Sequence, residues 1–160
     1  MKKVFLLICF TTLLSSCAYT PEFDTRNIDY TLTPDKVGNE NNNHSGKKVI
    51  WGGTILDTRN LKNSTQIEIL AYPLNSSHRP LLDKKPLGRF IMIHSEYLES
   101  KIYSQGKQLT TSGIITKNKQ AKIGESSYNY PVVLSKKTHL WENNNRKSRT
   151  SFHFGIGIGL

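Results

Sequence analysis

Residues 47–141 carry the alternation of apolar and polar side chains that is typical of strands with one buried face. Residues 65–74 show it most clearly, since Ile67, Ile69 and Ala71 alternate with Gln66 and Glu68. The same pattern predicts five strands, at residues 49–57, 65–74, 88–94, 109–117 and 127–140. Residues 120–126, between the fourth and fifth strands, are predicted to form a loop.

Glycine and proline residues indicate where these strands bend. Gly52 and Gly53 lie inside the first strand and Gly113 inside the fourth. Glycines in such places suggest bulges, or sharp coiling where a sheet closes on itself. Pro131 lies inside the fifth strand, and because proline cannot donate a ladder hydrogen bond, this part is expected at an edge or a bulge.

The pattern changes after the third strand. Ser95 is a good helix cap, Leu98 and Ile102 fall four apart on one helical face, and Gly106 follows just beyond. We therefore expect a short helix within residues 95–103. Five strands with a short helix between the third and fourth predict an all-β fold, a small OB-like barrel that is closed or partly open.

The first residues read as a targeting segment. Lys2 and Lys3 precede an apolar run, residues 4–14, which is too short to be a permanent membrane span, since a span needs about 20 residues. The small pair Ser15-Ser16 then marks a cleavage site. We predict a signal peptide at residues 1–16, with Cys17 as the residue that cleavage exposes.

The sequence Leu14-Ser-Ser-Cys17 resembles the lipobox of bacterial lipoprotein precursors. A cysteine thiol can take up a diacylglyceryl group as a thioether, and the new amine can be acylated as well. Two or more acyl chains anchor a protein stably, whereas one gives marginal binding. Ala18 is not the aspartate that retains enterobacterial lipoproteins in the inner membrane, so the outer membrane is expected. The alternative is an ordinary secretory signal with an incidental cysteine nearby.

Two flanking segments surround the predicted barrel, residues 47–141. Residues 17–46 contain five acids and two bases and are expected to form a flexible acidic tether, in which Ile28, Tyr30 and Leu32 could add a short edge strand. Residues 142–160 form a basic linker and a Gly-rich tail. Apolar residues alternate with glycines in the tail, which predicts a strand that pairs with an exposed edge. A frayed terminus is the alternative.

The charge distribution allows an anionic partner without requiring one. The chain has a formal net charge of +10, and residues 47–141 contain fifteen bases against six acids. Such a domain could favour anionic lipid head groups, acidic glycans or nucleic acid. The bases are scattered singly and in pairs, however, so a charged surface that only keeps the protein soluble is the simpler interpretation.

A candidate ligand site lies in the first two loops of the barrel plan, where OB barrels bind oligonucleotides or oligosaccharides near strands two and three. The six basic residues in or beside these loops are Arg59, Lys62, Arg79, Lys84, Lys85 and Arg89. Binders of nucleic acid add exposed aromatic residues that stack on bases. The nearest here, Trp51, Tyr72 and Phe90, are equally suited to the core, so nucleic acid is not an expected partner.

Motifs for catalysis, metals or cofactors are not found in the sequence. The five histidines never fall at i, i+2 or i, i+4 spacing, and no second cysteine would accompany Cys17 after cleavage. No Gly-x-Ser-x-Gly elbow is present. Residues 155–159 alternate Gly and Ile, but no helix could follow to hold a phosphate. The sequence predicts neither an enzyme nor a cofactor.

Several short motifs in one order resemble the Slp family of outer-membrane lipoproteins. They are Val49-Ile-Trp-Gly-Gly53, Ile67-Glu-Ile-Leu70, Pro73-Leu74, Arg79-Pro80, Gly88-Arg-Phe90, Tyr103, Gly113, Ile123-Gly-Glu125, Tyr128, Tyr130-Pro131 and Leu140-Trp141. The resemblance implies an outer-membrane lipoprotein, induced in some members by starvation or envelope stress, with no known enzymatic activity. It carries over one functional residue, the lipidated Cys17, and it ends after Trp141.

Two functions are therefore carried forward. The first is a non-enzymatic structural or interaction module, anchored to the outer membrane by the acylated Cys17, on its periplasmic face, beside a protein of the envelope. The second is an OB-like module that binds an anionic glycan or lipopolysaccharide through the six basic residues.

Overall fold

A computed structural model describes residues 21–40 and 44–142. These residues form one short helix and seven strands: α1 (Pro34–Asn39), β1 (Lys48–Leu61), β2 (Ser64–Tyr72), β3 (Arg89–His94), β4 (Gln108–Ile115), β5 (Lys119–Ile123), β6 (Ser126–Tyr130) and β7 (Val132–Trp141). No helix within these two ranges is long and apolar enough to cross a membrane. Cys17 and the tail lie outside the described residues.

Five of the strands close into a barrel in the order β1-β2-β3-β7-β4. Neighbouring strands are antiparallel except for β3 and β7, which run parallel over three residue pairs. This closed five-stranded barrel confirms the predicted all-β barrel fold. The remaining strands, β5 and β6, form a separate two-stranded hairpin.

Strand β1 closes the barrel because it pairs with two neighbours. Its first half pairs with β4 and its second half with β2, and the two ladders overlap at Gly52, Gly53 and Thr54. A Cβ atom at Gly53 would overlap the backbone carbonyl of Leu70 on β2, so the close approach of these strands requires glycine. In the ladder with β2, a register shift follows between Ile55 and Asp57.

The core fills the barrel with side chains from alternate positions. In β2 the buried residues are Thr65, Ile67, Ile69 and Ala71, as the period of two predicts. Trp51 and Phe90 contact each other edge to face, with ring centroids 5.2 Å apart. Both are core residues, so neither is available to stack on a ligand.

The predicted helix between the third and fourth strands is wrong. Residues 95–103 form bends and one isolated turn, in which the amides of Ile102 and Tyr103 both donate to the carbonyl of Glu99. The backbone just before this turn forms hydrogen bonds with strand β2 instead of helical ones. The amide of Leu98 donates to Thr65 Oγ1 (2.9 Å), which in turn donates to the carbonyl of Glu96 (3.0 Å). The described helix, α1, comes before the barrel.

The predicted fifth strand divides at Pro131 into β6 and β7, and the predicted loop 120–126 contains most of β5. Pro131 has no amide to donate, but its carbonyl accepts a 2.9 Å hydrogen bond from the amide of Ile91 on β3. The proline thus lies at the junction where the chain leaves the hairpin and joins the barrel. The hairpin turns at Gly124, whose φ is +59°.

The arm, residues 21–40, packs on the barrel, in contrast to the flexible tether expected for residues 17–46. Val37 is fully buried and belongs to the same hydrophobic cluster as the barrel core. The side-chain amides of Asn118 and Asn129 donate to the carbonyls of Val37 and Gly38. The edge strand expected around Ile28 is limited to one parallel bridge with Lys48. The domain boundaries after residues 16, 46 and 141 stay predictions.

Candidate functional site

The six basic residues of the predicted ligand site do not form one patch. Arg59 lies near the end of β1 and Lys62 in the turn that follows, whereas Arg79, Lys84 and Lys85 lie in the loop between β2 and β3. These connections leave opposite ends of β2, whose nine residues span roughly 26 Å at about 3.3 Å each. One ligand would have to cover the length of the barrel to touch both groups.

Three of these basic residues are already paired. Arg59 Nε lies 2.6 Å from Asp57, and Lys84 Nζ lies 3.5 Å from Asp83, both at exposed positions. Arg89 Nη1 contacts Glu68 at 2.9 Å in a half-buried site. Burial opposes the charge of Arg89, but the hydrogen bonds and charges of Glu68 and Tyr130 together outweigh it, so the pKa of Arg89 rises above its ordinary value.

The outer face of β2 and β3, where OB barrels bind ligands, is covered by the β5–β6 hairpin. The hydroxyl of Tyr130 donates to Glu68 at 2.9 Å, and Lys119 donates to Gln66 at 3.3 Å. Ile91 points outward from β3 and is nevertheless buried. This part of the predicted site is therefore occupied by the protein's own chain.

Tyr128 extends this contact to the arm. The amide of Arg89 donates to the Tyr128 hydroxyl, which lies 3.5 Å from Asp35 in α1. Burial is the main cause of the raised pKa of Tyr128, as it is for Tyr130. The hairpin, β3 and the arm are thus held together by one set of tyrosine and carboxylate contacts.

A groove of about 430 Å³ lies between the arm and the end of the barrel. Its walls are mainly apolar, with Leu32 and Pro34 from the arm, Trp51 from β1 and Leu74 from the β2–β3 loop. Tyr72, considered above as an aromatic ligand contact, lines this groove as well. The carboxylate of Asp29 and the imidazole of His78 are also part of its lining.

A second surface is formed by outward-facing residues of β7, the start of the arm and the β2–β3 loop. We call it the β7 surface, and its members are Phe23, His78, Arg79, Lys136, Lys137, His139 and Trp141. The guanidinium of Arg79 lies 5.4 Å from the ring centre of Trp141, and its Nη2 donates to the carbonyl of Glu142 at 3.0 Å. The Trp141 ring is fixed, because Nε1 donates to Thr110 Oγ1 at 2.9 Å.

Of the residues on the β7 surface, only Arg79 belongs to the ligand site that the sequence predicts. The signal that could have found the others is the spacing of Lys137, His139 and Trp141, two residues apart along one strand, which puts them on one face. Phe23 belongs to the segment expected to form a flexible tether. Its ring lies edge to face on His78, 5.4 Å away, and this contact brings the arm to the surface.

The electrostatics of the β7 surface are mainly basic. Lys136 and Lys137 are exposed and take part in none of the ion pairs of residues 21–40 and 44–142. Of the nearby acids, Asp24 is bound by Arg26, whose hydrogen bonds lower the pKa of Asp24 to about 2. Burial and the charge of Lys137 lower the pKa of His139.

In the described part of the chain, no three His, Cys, Asp or Glu side chains come together as metal ligands. Cys17, the predicted lipidation site, precedes the described residues, so its acylation stays a prediction. Ligand binding by the six basic residues stays a prediction as well.

Relatives of this chain include lipoproteins. It is 33% identical over 96 residues to an uncharacterised protein of Haemophilus influenzae, covering 59% of this chain and 52% of that protein. It is 27% identical to the uncharacterised lipoprotein YeaY of Escherichia coli over 78% of this chain and 64% of YeaY. The chain thus spans about half to two thirds of the length of these two curated relatives.

The outer membrane protein Slp of Escherichia coli is 26% identical, and the similar region covers 88% of this chain and 76% of Slp. Among solved structures, the Pot1pC domain of Schizosaccharomyces pombe bound to single-stranded DNA covers 79% of this chain and 91% of its own, at 8% identity. Its TM-score of 0.34 is too low for an argument about fold or ligand.

The profile of the outer membrane lipoprotein Slp family matches residues 14–156, from the first residue of the lipobox-like sequence into the tail. This match covers most of the chain and includes the whole barrel and the arm. The chain therefore belongs to the outer membrane lipoprotein Slp family.

Proposed function

We propose that this protein is anchored to the outer membrane by an acylated Cys17 and acts there as a non-enzymatic structural or interaction module. The observation that carries the proposal is the start of the family match at Leu14, which includes the sequence Leu14-Ser-Ser-Cys17. Two or more acyl chains on one cysteine would give stable anchoring.

The docked arm determines how the anchor would act. Pro21 is buried on the domain, and only residues 18–20 separate it from Cys17. Four residue steps reach at most about 14 Å. The anchor would hold the barrel beside the bilayer, which raises its local concentration near other envelope components.

Substitution of the cysteine tests the anchor. Cys17→Ser should give an uncleaved precursor without lipid, because a serine hydroxyl is a far weaker nucleophile than a thiolate. Cys9→Ser is the matched control, since Cys9 lies in the apolar run of the signal and its loss should leave acylation intact. The measurement is incorporation of a labelled fatty acid. Label in Cys17→Ser at the wild-type level would overturn the proposal.

Substitution of Ala18, the residue after the cysteine, tests whether the protein lies in the outer or the inner membrane. Ala18→Asp supplies the aspartate that retains enterobacterial lipoproteins in the inner membrane, so this variant should move inward on fractionation. Wild-type protein found mainly in the inner membrane would contradict the outer-membrane location.

The alternative function, binding of an anionic glycan or lipopolysaccharide by the six basic residues, has weaker support because these residues lie at both ends of β2. It predicts salt-dependent retention on an acidic polysaccharide column, with loss of retention in Lys84→Glu/Lys85→Glu. Retention that does not depend on salt would contradict it.

A further inference from the structure

We propose that the β7 surface rests on the membrane and binds the head-group phosphates of anionic phospholipids. This inference rests on the proposed function in one respect, since it requires that lipid be attached at Cys17. It adds an orientation and a lipid preference that anchoring alone does not supply.

The first argument is the position of the arm. Pro21 and Phe23 are buried on the domain, and the Phe23 ring packs on His78 within the β7 surface. The chain between Cys17 and Pro21 reaches at most about 14 Å. The lipid must therefore lie close to the place where Phe23 is bound, and the surface around Phe23 is the part of the domain nearest the bilayer.

The second argument is the chemistry of that surface. Lys136 and Lys137 extend from β7 beside the arm, since Lys136 borders a groove with Asp24 and Lys137 borders one with Phe23. Exposed lysines on flexible stems suit phosphate groups as point charges. The guanidinium of Arg79, in the β2–β3 loop, lies 5.4 Å from the ring centre of Trp141 on β7, and tryptophan favours the boundary between water and lipid.

The third argument is electrostatic range. Screening by salt limits the attraction to about 8–10 Å at physiological ionic strength. The connection from Cys17 to Pro21 reaches at most about 14 Å, so the two lysines beside the arm can come within this range of the head groups. Glu22 and Asp24 line a groove together with Lys137, but among the described residues neither forms an ion pair with it, and Asp24 is bound to Arg26. The two lysines therefore remain available to an outside anion.

The opposite end of the barrel is the competing candidate for membrane contact. Leu61, Tyr97 and Ile102 are all more than half exposed there, at the β1–β2 turn and in the β3–β4 connection. Lys62 and Lys101 are their basic neighbours. This end is separated from the arm's attachment by the length of β2, so a short connection to Cys17 would hold it away from the bilayer.

The test compares the distances of the two ends from lipid in the intact lipoprotein. Cys17 carries lipid and Cys9 leaves with the signal, so Ser76→Cys, on the exposed β2–β3 loop, and Lys62→Cys, at the opposite end, would each carry a single fluorescent label. The labelled proteins, which keep Lys136 and Lys137, are reconstituted in phosphatidylethanolamine vesicles with or without phosphatidylglycerol, together with a head-group acceptor dye. We expect stronger energy transfer from residue 76 than from residue 62 when phosphatidylglycerol is present. Equal transfer, or stronger transfer from residue 62, would overturn the proposal.

Charge reversal then tests the lysines. With a label at Ser76→Cys, on the β2–β3 loop, Lys136→Glu/Lys137→Glu should lower energy transfer to the level seen without phosphatidylglycerol. Lys62→Glu/Lys101→Glu is the matched control with the same charge change at the opposite end, and it should leave transfer unchanged. Unchanged transfer in the first variant, or an equal loss in both variants, would show that the β7 surface does not bind anionic phospholipids through these two lysines.

Failure of this inference can be separated from failure of the anchor. Mass analysis of the purified protein reports acylation directly. An acylated protein whose two labels give equal transfer refutes the orientation and leaves the anchor in place. A protein without acyl groups refutes the anchor, and with it the short connection on which the orientation depends.

Discussion

The indole Nε1 of Trp51, in strand β1, donates a 2.9 Å hydrogen bond to the backbone carbonyl of Leu32 in the arm. Both residues are buried, with exposed fractions of 6% and 4%. The arm therefore completes the hydrophobic core, and a change in the barrel core should also alter how tightly the arm is held.

Trp51→Phe tests this connection. The variant keeps an aromatic ring but leaves the carbonyl of Leu32 without its buried donor, which should lower the free energy of unfolding by about 1–3 kcal/mol. Urea denaturation gives the value. Trypsin cleavage after the exposed Arg26 should also become faster as the arm loosens. Tyr30→Phe, at a position 65% exposed, is the control and should stay within about 0.5 kcal/mol of wild type.

Gly53→Ala tests the closure of the barrel. The new Cβ would overlap the Leu70 carbonyl, so β1 and β2 would have to separate, and we expect a loss above about 3 kcal/mol or failure to fold. Gly106→Ala is the matched control. Its φ is +83° with open space around the Cβ position, so only backbone strain of about 1–2 kcal/mol is expected. Thermal unfolding that ranks the two variants in reverse would contradict this account.

The barrel could be predicted from the sequence because its strands carry a strong local signal. The period of two in β2 and the glycines of β1 each reflect one requirement, burial of one face or close approach of another strand. The helix expected at residues 95–103 does not form, because the side chain of Thr65 makes hydrogen bonds with the carbonyl of Glu96 and the amide of Leu98. Such contacts join residues about 30 apart and leave no local pattern.

The candidate site was less predictable for the same reason. The acidic composition of residues 17–46 suggested a tether, although a few apolar side chains, such as Phe23 and Val37, are enough to dock the arm. The six basic residues are close in the sequence to the first two loops of the barrel plan, but these loops lie at opposite ends of β2. The β7 surface combines residues from three distant parts of the chain, so only the fold brings them together.

Tyr130→Phe tests the contact that holds the hairpin over β2 and β3. Loss of the hydroxyl that donates to Glu68 should lower the free energy of unfolding by about 0.5–1.5 kcal/mol. Hydrogen exchange in β5 and β6 should become faster while exchange in β4 is little changed. Tyr97→Phe, whose hydroxyl makes a 3.4 Å exposed contact with Glu99, is the control. Equal effects of the two variants would show that the bond to Glu68 does not hold the hairpin.

His139 should make stability depend on pH. Burial and the charge of Lys137 lower the pKa of His139 in the folded protein, so the unfolded chain binds its proton more readily. As the pH falls below the ordinary histidine value of about 6.5, the unfolded state therefore gains protons first and stability decreases until the folded pKa is passed. His139→Gln cannot titrate and should lose less stability than wild type between neutral and mildly acidic pH. Lys137→Gln should raise the pKa of His139 towards its ordinary value, which NMR titration of the ring measures directly. A wild-type His139 that titrates at or above the ordinary value would refute the prediction.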